Sequence, residues 1–84
     1  MRLKDKVALI TGGTEGMGYA TARLFLVEGA RVVVSGRSDE KGRKAVAELS
    51  KSGEVRFVRG DVSHAEDARR MVEETVAQFG RVDI

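Results

Sequence analysis

Eighty-four residues allow at most one small domain, with a thin stability margin because a short chain buries a smaller share of its surface. At 42% hydrophobic and 33% charged residues the composition is that of an ordinary soluble globular protein, and a net charge of +2 without a basic block gives nucleic acid nothing to hold. The lack of cysteine excludes disulfides and thiolate metal sites, and the apolar run Val7–Ile10 is too short for a signal-peptide core or a membrane span, so the expected compartment is the cytoplasm, with no membrane partner.

Lys6–Ile10 predicts a short strand buried on both faces, since its apolar residues do not alternate with polar ones. The glycine-rich stretch Thr11–Gly18 follows as a loop. From Gly16 a helix is predicted, with Ala20, Leu24 and Val27 as its apolar face and Gly29 as its stop. Arg31–Ser35, rich in β-branched residues, predicts a second buried strand, and Gly36–Asp39 a turn whose end caps the next helix. That helix carries Gly42, Ala45, Val46 and Leu49 on one face and closes at Ser50–Gly53.

Val55–Val58 predicts the third strand, and Gly60-Asp61-Val62 the loop after it. Ser63-x-x-Glu66 has the spacing of a capping box, and behind it Ala68, Met71, Val72, Thr75, Val76 and Phe79 form one apolar stripe ending at Gly80. Arg81–Ile84 reads as the beginning of a fourth strand. The order β-α-β-α-β-α-(β), with short connections, forces right-handed crossovers and a parallel sheet. The expected fold is therefore α/β: the N-terminal part, over residues 1–84, of a dinucleotide-binding Rossmann domain, half of a doubly wound sheet.

A glycine loop between strand and helix offers backbone N–H groups and a helix dipole to a phosphate. Gly13 and Gly18 have the separation of a P-loop, but Tyr19-Ala20 stand where a lysine and a hydroxyl are needed, which argues against a nucleotide triphosphatase. The G-x-G-x-x-G spacing is not met either; the pattern is T-G-x-x-x-G-x-G. Its logic is similar. Gly12 lets the chain leave the strand, Gly16 lets backbone approach a pyrophosphate, and Gly18 lets the helix lie close to the first strand. Thr14, Glu15 and Met17 complete the loop.

Thr11-Gly12-Gly13-Thr14-Glu15-Gly16-Met17-Gly18 resembles the cofactor loop of the short-chain dehydrogenase/reductase family. The resemblance extends along the chain, through Gly60-Asp61-Val62 to Phe79-Gly80-Arg81-Val82-Asp83-Ile84. It implies a nicotinamide dinucleotide as ligand, interconversion of an alcohol and a carbonyl, and a homo-oligomer, tetramer or dimer, for the full-length protein. A carboxylate at the end of the second strand would favour NAD(H), yet Gly36 stands there and Arg37 follows, a guanidinium suited to a 2′-phosphate. Arg37, with the Ser38 hydroxyl beside it, thus points to NADP(H), with NAD(H) still possible. Glu15 opposes this choice unless Arg37 neutralises it. By the same resemblance Asp61 and the backbone of Val62 hold the adenine.

The family's catalytic tyrosine, its lysine four residues later, its serine and its asparagine-rich segment are expected beyond residue 84, so no catalytic residue is assigned in this chain. Tyr19 with Arg23 imitates the tyrosine pair but falls in the cofactor helix. His64 is the sole histidine and is expected at the surface, so no metal site is assigned, and Met17 and Met71 are expected to pack. A non-catalytic nucleotide-binding module remains the alternative. An end inside an apolar strand argues against it, because the first strand would keep an unpaired edge and the isolated fragment would be marginal or self-associating.

Overall fold

The computed structural model describes residues 3–84. Strands β1 (Val7–Thr11), β2 (Arg31–Gly36) and β3 (Val55–Arg59) alternate with helices α1 (Gly16–Val27), α2 (Asp39–Leu49) and α3 (Ala65–Phe79). The strands are parallel and lie side by side in the order β1-β2-β3. Thr11 is opposite Ser35, and Gly36 opposite Arg59, so all three strands end at one edge of the sheet. The loops leaving them share that edge. This is the Rossmann-type parallel sheet predicted from the order of elements.

The central strand explains its own composition. Val32, Val33 and Val34 are wholly buried. Val32 and Val34 enter the core beneath α1 and α2, with Leu26, Ala45 and Leu49, whereas Val33 joins Val58 and Met71 beneath α3. A strand covered on both faces needs apolar residues on both, and burying a side chain such as Leu49 or Met71 contributes about 1.5–3 kcal/mol. α2 sits so close to β3 that a Cβ at Gly42 would run into the Phe57 ring. At the end of α1, Gly29 donates to the Leu26 carbonyl and Ala30 to that of Phe25, the Schellman pattern that turns the chain into β2.

Four expectations about the helices need correction. The buried face of α1 is Ala22 and Leu26, while Ala20, Leu24 and Val27 are exposed. α1 is apolar nearly all round, so spacing alone does not select the face that meets the sheet. Ser63 caps nothing: α3 starts at Ala65, so His64 and not Ser63 occupies the N-cap, without a side-chain cap bond, and the Ser63 N–H and hydroxyl both donate to Asp61. On α3, Met71 and Thr75 are buried but Val72 and Val76 remain about 40% exposed, so the stripe is wider than the face that the sheet covers. Met17 is 86% exposed and packs on nothing.

Arg81–Ile84 forms no regular strand, yet it runs along the outer edge of β1. Asp83 N–H donates to the Val7 carbonyl (2.8 Å) and Leu9 N–H to that of Ile84 (3.0 Å). The Asp83 carboxylate accepts the Val7 N–H at 2.9 Å, taking a backbone donor that a regular ladder would use.

Candidate functional site

The glycine loop is shaped by backbone that other residues would not tolerate. Gly12 and Gly16 have φ of +67° and +63°. Gly18 is required by space: a Cβ there would meet the Gly12 carbonyl oxygen and stand 3.1 Å from Gly13 Cα. The close approach is thus between helix and loop rather than helix and strand. α1 opens at Glu15, whose extended backbone serves as N-cap without a side-chain bond. The first-turn amides therefore have no side-chain acceptor at this end of the helix.

A groove of about 380 Å³ opens at the shared edge, walled by the loop after β1 (Gly12, Thr14, Glu15), the loop after β2 (Gly36, Arg37, Ser38) and the loop after β3 (Gly60, Asp61, Val62). Of the predicted site residues, Gly16, Met17 and Gly18 lie at the start of α1, outside its lining. Ser35 and Lys41 line it as well, and sequence reasoning named neither. Ser35 is 1% exposed and its Oγ has no hydrogen-bond partner among the described residues. Lys41 Nζ donates to Glu15 Oε1 at 3.1 Å, joining α2 to the glycine loop. The carboxylate expected to need Arg37 is paired with Lys41 instead. Side chains tilt toward the N-terminus of their helix, and Lys41 lies three residues after the Ser38 cap, so it can point back to the sheet edge.

At the end of β2 there is no carboxylate. A Cβ on Gly36 would lie 3.3 Å from Thr14 Cγ2, so this corner is already filled by Thr14. The exposed Arg37 guanidinium makes no hydrogen bond or ion pair among the described residues. Its carbonyl is held by Arg59 Nε at 3.2 Å, and the Arg59 carbonyl by an Arg70 guanidinium nitrogen at 2.6 Å, so two arginines fix the backbone on which Arg37 stands. Ser38 accepts the Lys41 N–H at 3.2 Å as N-cap of α2, which leaves its hydroxyl proton for another acceptor.

Asp61 is half-buried. Its Oδ1 accepts both the Ser63 hydroxyl (2.7 Å) and the Ser63 N–H (2.9 Å). These two bonds hold its carboxyl below the usual carboxylate range, helped by the charges of His64 and Arg37 and opposed by partial desolvation. Oδ2, 3.7 Å from His64 Nε2, is the less occupied acceptor. His64 is exposed, as expected. Tyr19 packs against the core beneath α1 and α2 and does not line the groove. No group of three His, Cys, Asp or Glu among the described residues could hold a metal ion, and no helix is long and apolar enough to cross a membrane.

A profile of the short chain dehydrogenases matches residues 6–84. The chain belongs to the short-chain dehydrogenase family. As a member of this family of oxidoreductases, which use nicotinamide dinucleotides, it is similar to A-factor type gamma-butyrolactone 1'-reductase (1S-forming) of Streptomyces virginiae, with 48% identity over 96% of this chain and 32% of that protein. It is similar also to momilactone A synthase of Oryza sativa subsp. japonica, 46% identical over 99% of this chain and 30% of that protein. Among solved structures, a short chain dehydrogenase from Mycobacterium smegmatis superposes with a TM-score of 0.93 at 35% identity, over 98% of this chain and 35% of that one. The chain spans about a third of the length of the curated relatives it matches.

Proposed function

We propose that this chain supplies the cofactor half of an NADP(H)-dependent oxidoreductase that interconverts an alcohol and a carbonyl. The observation that carries the cofactor choice is Gly36-Arg37 at the end of β2: no carboxylate, and a guanidinium with no hydrogen bond or ion pair among the described residues, at the groove that the glycine loop and Asp61 share. The residues fit a dinucleotide. The loop is free of Cβ atoms where a pyrophosphate would approach, the start of α1 lacks a side-chain cap, and the buried Ser35 Oγ lacks a partner at the wall.

In this assignment Gly12, Thr14, Gly16, Met17 and Gly18 cradle the pyrophosphate with backbone and helix dipole. Arg37 and Ser38 take the 2′-phosphate. Asp61 Oδ2 accepts the exocyclic amine of adenine, and the Val62 N–H reaches a ring nitrogen. When bound, the dinucleotide supplies or accepts the hydride. The groups that would move the proton are proposed to lie outside residues 1–84, in the part of the family's length that this chain does not span.

Carbonyl-dependent oxidation of NADPH by the intact protein tests this assignment. The expected result is turnover of at least one carbonyl from a mixed panel of ketones and aldehydes, faster with NADPH than with NADH. Binding of a dinucleotide without turnover of any carbonyl would favour the non-catalytic module. A faster rate with NADH would overturn the cofactor choice.

A further inference from the structure

The glycine loop carries a carboxylate in the wall of a groove read as binding a 2′-phosphate, and that needs an explanation. Glu15 stands at the start of α1 beside Thr14, across the groove from Arg37 and Ser38. Among the described residues its sole ion-pair partner is Lys41, at 3.1 Å. Arg37 does not reach it.

We propose that Lys41 is a specificity-determining residue of this groove: it neutralises Glu15, so that a dinucleotide with a 2′-phosphate is accepted despite the carboxylate in the loop. The inference rests on the dinucleotide assignment made above. The charged side chains of the groove are Glu15, Arg37, Lys41 and Asp61, two of each sign. Without Lys41 the balance turns negative, and the unpaired Glu15 faces the added anion. NAD(H), lacking that anion, is much less affected. The Ser38 cap holds the Lys41 backbone at the start of α2, from which its ammonium reaches Glu15.

The pair is largely solvent-exposed, so it adds little to the stability of the fold and its removal should leave the protein folded. What it controls is the local potential, and screening by salt should weaken the effect. The test is calorimetric titration of the intact protein and of its Lys41→Met, Glu15→Gln and Glu15→Gln/Lys41→Met variants with NADP+ and NAD+. For Lys41→Met the expected result is roughly fivefold weaker NADP+ binding with less than about a twofold change for NAD+, the difference shrinking at high salt. In the double variant NADP+ affinity should return to within about twofold of the starting value, because no carboxylate is then left to neutralise. An equal shift for both dinucleotides, or a double variant as weak as Lys41→Met, would overturn the inference alone. Failure of the unsubstituted protein to bind either dinucleotide would overturn the assignment on which it rests.

Discussion

The loops after β1 and β2 face the same groove but are built on different principles. The first works through backbone: Gly12 and Gly16 occupy left-handed φ, and Gly18 leaves room for the Gly12 carbonyl. The second, with the first turn of α2, works through side chains: a guanidinium at Arg37 with no hydrogen bond or ion pair among the described residues, a capping hydroxyl at Ser38 and an ammonium at Lys41 that crosses to Glu15. Shape in the first loop leaves little tolerance, because a Cβ at Gly18 collides with main chain while Gly12 and Gly16 hold a φ that other residues rarely adopt. Charge in the second is exposed and screened, so substitutions there grade the choice of ligand without removing the fold.

The largest effect should come from crowding the first loop. Gly18→Val is expected to cost about 3 kcal/mol of stability and to abolish dinucleotide binding, read by thermal unfolding and by titration. Gly12→Ala sharpens the contrast, since a Cβ at Gly12 meets nothing within 4 Å and only its φ is unfavourable. The expected cost is about 1–2 kcal/mol, again read by thermal unfolding. Equal costs at the two glycines would mean that backbone conformation, not space, governs the loop.

In the second loop the fold should survive and the preference should move. Arg37→Asp is expected to weaken NADP+ by at least about tenfold and to raise the relative affinity for NAD+, with an unchanged melting temperature. An unchanged preference would remove Arg37 from the site.

The smallest expected effect lies in the third loop, where Asp61 is proposed to serve the adenine common to both dinucleotides. Asp61→Asn should weaken both by a similar factor, about fivefold. Its carboxyl is held below the usual range by the two Ser63 hydrogen bonds, so it is ionised well below neutrality. A depressed value means that the favourable interaction is fully present above the ordinary carboxylate range and is lost as pH falls through the lowered one. The Asp61 contribution, taken as the affinity ratio of the parent protein to Asp61→Asn, should therefore stay flat from about pH 8 to about pH 5. A fall in that ratio within this interval would show that Ser63 does not hold the carboxyl as described.

Elements whose signal is local were legible in the sequence. The strands, the glycine spacing, Gly29 as a stop and the position of Asp61 all follow from neighbouring residues and short-range geometry. Features set by tertiary contact were not. The face that α1 buries depends on how closely Ala22 lets the helix approach the sheet, which an almost uniformly apolar helix does not announce. The Ser63-x-x-Glu66 spacing failed because α3 starts one residue later and Asp61 accepts the Ser63 N–H that a capping box would give to Glu66. Lys41 is separated from Glu15 by 26 positions, and the two meet only because β1 and β2 end side by side. The unpartnered Ser35 hydroxyl is a property of the packed sheet edge and has no sequence signal at all.

The groove at the shared strand edge is proposed to select a 2′-phosphorylated dinucleotide through Arg37. Isothermal titration of the intact, unsubstituted protein with NADP+ and NAD+ under identical buffer and salt tests it most directly. NADP+ is expected to bind more tightly by about tenfold or more. Equal affinities, or tighter binding of NAD+, would contradict it.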